Sequence, residues 1–221
     1  MKNLEGLYMA ESLRIAGIEP GNISGKAGAV VAQLEGSGDS TVCDLMYYTC
    51  RSMPDELAGM LKSAAGNNSL DAEELAGINF LFLHHLSSLY GQLFEETDLS
   101  GEDIDLVGLK CMEVGGKDYP LDPADFSEMI GNIVISRFSI GMGDSDFSTL
   151  PLEESIFRTL VAEMIQESDF EDEAYEAIGV ALLANESFRN HSWKFEGKRR
   201  VDSGSGREKV VFNGEFYLPS R

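Results

Sequence analysis

The sequence predicts an α/β fold, in which one mixed sheet of about five strands carries flanking helices. A long helical pattern over residues 71–96 runs through a turn into a short apolar strand at 104–109. Residues 29–49 read as two apolar strands joined by a Gly/Ser turn, which predicts a β-hairpin. A helix rich in small residues follows at 171–188 and predicts close packing against the sheet. Helices and strands that alternate in this way are typical of an α/β domain.

The amino-terminal third is predicted to contain two helical segments around the hairpin. Residues 3–18 carry apolar side chains near the helical period and end at a glycine, which predicts an N-terminal amphipathic helix. A turn at 19–22 then leads into the hairpin. Pro54, with acidic residues beside it, predicts the start of a helix that ends at Gly66. Together with the long helix at 71–96, it makes 54–96 a predicted helical segment.

The second half of the chain is predicted to add shorter elements. Residues 115–123 read as a loop, and 124–137 as a short helix or strand. A Gly-rich, acidic loop at 141–146 precedes a helix that starts at Pro151 and reaches about Gln166.

The charge distribution divides the chain in two. Residues 194–221 hold seven Lys and Arg against four Asp and Glu, a net of +3, which leaves −24 for the remainder. The sequence therefore predicts a single α/β domain at 1–193 and a basic C-terminal strand pair at 194–221 that docks on the acidic body.

Composition excludes two classes of partner. A net charge of −21 repels phosphate backbones, so we expect no nucleic-acid partner. No apolar run reaches the roughly 18 residues that span a bilayer, so we expect no membrane partner. Acidic residues interrupt the N-terminal stretch where a signal peptide would be apolar, which predicts a cytoplasmic protein. Three cysteines, Cys43, Cys50 and Cys111, lack metal-type spacing and are expected to be free thiols.

Two motifs partly match known binding sites, a phosphate-binding loop and a histidine metal site, but neither pattern is complete. The stretch Gly21–Lys26 resembles a phosphate-binding loop, but it has three residues between its glycines where the Walker pattern needs four. Ala27 also stands where that pattern has the hydroxyl that binds magnesium, so a loop leading into a strand is favoured. His84 and His85 are adjacent on the long helix, about 100° apart, which favours one facing the core and one facing solvent over a shared metal.

Acidic and nucleophilic side chains occur in two further places. Asp144 and Asp146 lie two residues apart in the Gly-rich loop, where they could hold magnesium or accept a proton, although capping and solvation are favoured. Lys110, Cys111 and Glu113 follow the 104–109 strand, at the end where α/β enzymes place their chemistry.

Several of these stretches resemble the anhydro-N-acetylmuramic acid kinase family, sugar kinases of the actin/hexokinase/Hsp70 (ribonuclease-H-like) superfamily. Glu74-Leu-Ala-Gly-Ile-Asn-Phe and Tyr90-Gly-Gln-Leu-Phe-Glu-Glu resemble its helical stretch, and Gly101 to Leu109 resembles the strand that follows. Ile130-Gly-Asn132 and Asp146-Phe147 fall in the order of its Ile-Gly-Asp and Asp-Phe-Arg stretches. The resemblance implies a reduced ribonuclease-H-like domain, with Asp146 at the catalytic base and Asn132 and Asp144 beside the substrate.

The departures from that family fall on its catalytic parts. Ser24 and Gly25 match its phosphate loop, but Lys26 and the two residues after it replace the hydroxyls and the acid. Its His-Gly-Gln-Thr substrate loop is Lys110-Cys-Met-Glu here, and the Arg that follows Asp-Phe is Ser148. About 25 residues separate Ser148 from the closing helix, where the family carries most of its nucleotide-binding lobe.

Three functional hypotheses remain open from the sequence. The first is a kinase-derived binding or regulatory module without phosphotransfer, in which helices 71–96 and 174–184 could supply a homodimer interface. The second is an enzyme with altered chemistry that uses Lys110, Cys111 and Glu113 beside Asp144 and Asp146. The third is a sugar kinase completed by a partner chain that supplies the missing lobe. A small-molecule ligand fits each of them, and Mg-ATP is a cofactor only where a kinase activity survives.

Overall fold

The fold is a sheet covered by helices on both faces. The computed structural model describes residues 4–21, 25–37, 41–66, 70–95, 97–119, 122–142, 150–151, 172–189, 192–195 and 208–220. The helices are α1 Leu4–Tyr8, α2 Asp55–Gly66, α3 Ala72–Gln92, α4 Pro123–Ile130 and α5 Asp172–Arg189. The strands are β1 Ser12–Glu19, β2 Lys26–Glu35, β3 Val42–Ser52, β4 Leu106–Leu109, β5 Met112–Val114, β6 Lys117–Tyr119, β7 Val134–Met142, β8 Leu150–Pro151, β9 Ser192–Phe195 and β10 Glu208–Tyr217.

The main sheet is mixed, and its strand order is β3-β2-β1-β4-β7-β10-β9, with β8 paired to β7. Strands β1 to β3 form an antiparallel meander, whereas β1, β4 and β7 run parallel. The predicted α/β class and the hairpin at 29–49 are therefore confirmed. Over the described residues the sheet has eight strands where about five were expected. The C-terminal pair accounts for part of the difference, because β10 pairs antiparallel with β7 and extends the sheet.

The predicted N-terminal helix over 3–18 is wrong. Helix occupies residues 4–8 alone, and residues 12–19 form β1 between β2 and β4. Leu13 and Ile15 face one layer of helices while Ala16 and Ile18 face the other. A central strand that is buried on both faces lacks polar alternation, so its apolar spacing imitates that of a helix.

Two cores lie on the two faces of the sheet. Helices α2, α3 and α4 cover one face, where Phe82, Leu86 and Phe126 are fully buried. Helix α5 covers the other face, where Ile178 and Leu182 are 1% and 0% exposed. The two helices considered for a dimer interface thus place most of their apolar side chains in the core.

Helix α5 lies unusually close to the sheet because two paired glycines face it. Gly17 of β1 and Gly108 of β4 are register partners. A Cβ on Gly17 would lie 2.0 Å from the carbonyl oxygen of Ala177, and one on Gly108 would lie 2.6 Å from that of Val180. The small residues of the 171–188 stretch are therefore explained by backbone-to-backbone packing.

Other predicted elements are confirmed, altered or outside the described residues. Asp71 caps α3 in a capping box with Glu74, and Asp122 caps α4. The predicted loop at 115–123 contains β6, which pairs with β5 in a separate small hairpin. Pro151, where a helix was expected to start, lies instead in the short strand β8, and the rest of that predicted helix lies outside the described residues. The first two residues of the loop predicted at 141–146 belong to β7, and the others are outside the described residues. Among the helices that are described, none is long and apolar enough to cross a membrane.

Candidate functional site at the carboxyl ends of the parallel strands

The carboxyl ends of β1 and β4 lie at one edge of the parallel part of the sheet, and β7, which runs parallel to β4, continues past that edge from Ser136 to Met142. In open α/β sheets this is the edge at which ligands bind. The backbone N–H of Lys110, just after β4, donates to the carbonyl of Ile18 in β1 at 3.1 Å. The turn from β1 to β2 opens on the same edge, because Glu19 is the register partner of Gly28.

A three-residue charge cluster occupies this edge on the α5 face. The Nζ atom of Lys110 lies 3.1 Å from Oε2 of Glu19 and 3.6 Å from Oε2 of Glu176 on α5. The Glu19 side chain is 6% exposed and that of Lys110 is 30% exposed. One ammonium is thus held between two carboxylates, and the cluster carries a net negative charge when all three groups are ionised.

Glu19 is the most strongly perturbed acid of the cluster. Burial raises its pKa from 4.5 to about 7, and Glu176 raises it further while Lys110 opposes the shift. Its Oε1 accepts the backbone N–H of Gly21 at 3.2 Å. Its other oxygen, Oε2, forms the ion pair with Lys110, but among the described residues it accepts no well-aligned hydrogen bond. Desolvation therefore outweighs the single nearby cation, and Glu19 is partly protonated near neutral pH.

Cys111 is a hydrogen-bonded thiol rather than an activated thiolate. The Ser136 hydroxyl donates its proton to the Leu109 carbonyl at 2.7 Å, and the Cys111 Sγ lies 3.3 Å from that hydroxyl oxygen. Since the one hydroxyl proton is already committed, the thiol is the donor to Ser136. Burial also raises the pKa of Cys111. Reactive cysteines have the opposite shift.

The sequence prediction missed Ser136 and its neighbour Arg137. Arg137 has φ of 51°, in the left-handed region, where β7 bulges against β10 near Gly214. Its guanidinium lies 3.3 Å from the Glu215 carboxylate, which also accepts a hydrogen bond from the Tyr217 hydroxyl. The bulge brings an Arg, a Glu and a Tyr next to the carboxyl edge. In the sequence, this bulge is indicated only by Gly214, a single glycine inside the C-terminal strand.

The predicted phosphate-binding residues lie on the turn between β1 and β2. Gly25 precedes β2, and Lys26 is its first, exposed residue. Gly21 has φ of +72°, and a Cβ there would lie 2.1 Å from the Lys26 carbonyl oxygen. A glycine is therefore required to close this turn. Ser24 lies outside the described residues.

The remaining predicted site residues do not converge on the edge. The Asn132 side chain donates to the carbonyls of Gly101 and Ile104, and accepts from the Tyr90 hydroxyl at 3.1 Å. These contacts lie before β4 and β7 begin, at the opposite end of the strands, so Asn132 ties loops together. Glu113 is exposed on β5.

Asp144 and Asp146, the predicted acids of the substrate loop, lie outside the described residues. Within the part of the chain that is described, no three His, Cys, Asp or Glu side chains are grouped to hold a metal ion. The three cysteines are free and half-buried, as expected.

Comparison with known proteins does not assign the chain to a family. No known family model matches the chain, and neither does the sequence of any curated protein.

Proposed function

We propose that this chain is a kinase-derived protein of the sugar-kinase-like superfamily that has lost phosphotransfer and acts as a binding or regulatory module. The observation that carries the proposal is the position of Lys110. It is the cation predicted for the substrate edge, and it is held between Glu19 and Glu176. Loss of the catalytic parts and retention of the scaffold are both expected of such a protein.

The order of the strands supports the ancestry in this proposal. An antiparallel meander, β3-β2-β1, is followed across the sheet by two parallel strands, β4 and β7. This is the arrangement expected of a ribonuclease-H-like domain. The turn at Gly21–Lys26 joins β1 to β2 at the carboxyl edge, where a phosphate loop would lie in that fold.

Electrostatics at this edge support the loss of phosphotransfer. Enzymes that transfer phosphoryl groups stabilise the phosphate oxygens with metal ions and cationic side chains. Here Glu19 and Glu176 already neutralise Lys110, and a triphosphate would meet their carboxylates. The molecule as a whole, at −21, repels the same ligand.

The alternative of an enzyme with altered chemistry is less well supported. Its nucleophile would be Cys111, but burial raises the pKa of that thiol, and the protonated thiol donates a hydrogen bond to the Ser136 hydroxyl. The Ser136 hydroxyl donates to the Leu109 carbonyl and accepts a hydrogen bond from the thiol, but a neutral hydroxyl is not a base that removes the thiol proton. Neither feature favours thiolate formation at neutral pH.

Nucleotide binding and phosphoryl transfer test the proposal directly. The purified chain is mixed with Mg-ATP and a panel of sugars and amino sugars, and transfer of the γ-phosphate is followed with a radiolabel. Thermal shift with the same ligands at about 10 mM detects weak binding, since stabilisation grows with the ratio of concentration to Kd.

We expect no phosphoryl transfer from the wild-type chain. The matched control is Asp146→Asn, because Asp146 takes the position of the catalytic base in the family it resembles. A transfer activity present in the wild type and abolished by Asp146→Asn would overturn the proposal. Activity that is equal in both proteins would identify a contaminating kinase.

A further inference from the structure

A second candidate site lies on the α2/α3 face of the sheet. It is an open cleft of about 210 Å³, formed where the end of β3 passes into α2 beside α3. Arg51 comes from the end of β3, Pro54 from the connection, and Glu56 and Leu57 from the first turn of α2. The carboxyl-edge cluster includes Glu176 of α5, which covers the other face, so the two sites are separate and this inference does not rest on the proposed function.

Helix α3 supplies the remaining wall of the cleft. Its lining residues are Leu81, His84, His85 and Ser88. They follow the spacing i, i+3, i+4, i+7, which puts them in one stripe along the helix. His84 is exposed at the rim, whereas His85 is buried. The sequence prediction that one histidine faces the core and one faces solvent is therefore confirmed.

His85 is a buried polar group with unused hydrogen-bonding capacity. It is 4% exposed, and among the described residues neither Nδ1 nor Nε2 has a hydrogen-bond partner. A buried polar group without a hydrogen-bond partner destabilises the folded state, and a ligand that supplies the partner removes that cost. Burial and the charge of Arg51 lower the pKa of His85 to about 4, so the ring is neutral at pH 7. A neutral imidazole offers one donor and one acceptor to a molecule in the cleft.

The charges around the cleft select the class of that molecule. Arg51 and Glu56 are both exposed and carry opposite charges. A simple anion would meet Glu56 and the net charge of −21, and a simple cation would meet Arg51. Leu57, which is 1% exposed, and Leu81 add an apolar surface.

We propose that this cleft binds a small zwitterion of the α-amino acid class. Arg51 attracts its carboxylate, since a guanidinium can form two parallel hydrogen bonds with a carboxylate. Glu56 attracts its ammonium group, and the neutral ring of His85 hydrogen-bonds to its polar atoms. Leu57 and Leu81 contact the apolar side chain.

NMR titration of the isotopically labelled full chain tests the assignment. Alanine, valine, leucine and methionine are each added to about 10 mM while the imidazole signals of His85 are followed. N-acetylleucine, which is only an anion, and leucinamide, which is only a cation, separate the two charges. We expect at least one amino acid to shift the His85 signals and saturate, and both leucine derivatives to bind about tenfold more weakly than leucine.

Two variants at the rim connect the binding to the proposed contacts. Arg51→Gln and Glu56→Gln should each weaken binding of the amino acid about tenfold. Lys62→Gln and Glu73→Gln make the same charge changes at exposed positions of α2 and α3 away from the cleft, and should leave binding unchanged. The assignment is overturned if no amino acid shifts His85, if either derivative binds as well as leucine, or if the control variants weaken binding as much as the rim variants.

Discussion

At the scale of single residues, the buried carboxyl of Glu19 predicts a measurable dependence of stability on pH. Its pKa in the folded chain is about 7, above the ordinary value of 4.5. The folded state therefore binds the proton more tightly than the unfolded state. The contribution of Glu19 to stability is full below pH 4.5 and is lost as the pH rises to about 7.

Glu19→Gln should remove this dependence, because glutamine is neutral at every pH. Relative to the wild type, the free energy of unfolding of the variant should increase by up to about 3 kcal/mol between pH 4.5 and pH 8. Urea unfolding at a series of pH values measures the difference. Glu113→Gln, which replaces an exposed carboxyl on β5 by the same amide, is the matched control in the same pH series. A constant difference between Glu19→Gln and wild type across the series would contradict the prediction.

The site residues differ in how far the sequence predicts them. Lys110 and Cys111 were placed correctly at the end of a strand, because chain order alone puts them there. The sequence predicts Glu19 in a turn, because its burial depends on α5, which lies more than 150 residues further along the chain. Ser136 gave no local signal, since its role depends on the parallel pairing of β4 with β7.

At the scale of elements, the contact of α5 with the sheet depends on the absence of side chains at two strand positions. Gly17→Ala would bring a Cβ to 2.0 Å from a backbone carbonyl of α5, and a backbone cannot turn aside as a flexible side chain can. The helix must then move away from β1 and β4. Overpacking of this kind typically costs about 1–3 kcal/mol, and we expect Gly17→Ala at or above the upper end.

Gly59→Ala is the matched control for this prediction. Gly59 lies in α2, and among the described residues no atom other than those of its chain neighbours and its own helix backbone comes within 4 Å of the added Cβ. Alanine is the better helix former, so this variant should gain up to about 1 kcal/mol. Urea unfolding of both variants gives the comparison. Equal stability of Gly17→Ala and wild type would show that α5 does not lie as close to β1 as described.

The elements also show where sequence patterns are ambiguous. The sequence predicts helices α2, α3 and α5 because each is long and rich in helix-forming residues, and α3 also begins with a capping box. The sequence of β1 predicts a helix wrongly, because a strand covered on both faces has no polar alternation. The length of the sheet could not be predicted, since pairing of β10 with β7 joins residues about 75 positions apart.

At the scale of the whole molecule, net charge is the dominant electrostatic feature. The chain carries 38 Asp and Glu against 17 Lys and Arg. Residues 194–221 carry a net charge of +3 and contribute strand β10 to the main sheet, while the rest of the chain carries −24. The C-terminal segment is therefore attracted to the rest of the protein, whose own acidic residues repel one another. With an excess of this size, repulsion between like charges should outweigh the few local ion pairs.

Added salt should therefore stabilise the folded chain at pH 7. The Debye length falls from about 30 Å at 0.01 M to about 3 Å at 1 M, which screens the long-range repulsion first and contacts such as Arg137–Glu215 last. The midpoint of urea unfolding should rise as NaCl is increased, and urea is the suitable denaturant because it adds no charge. The control is the same series near pH 4.3, the isoelectric point, where this effect should largely disappear. A midpoint that falls with salt at pH 7 would mean that attraction, including that between the C-terminal strands and the acidic body, outweighs repulsion.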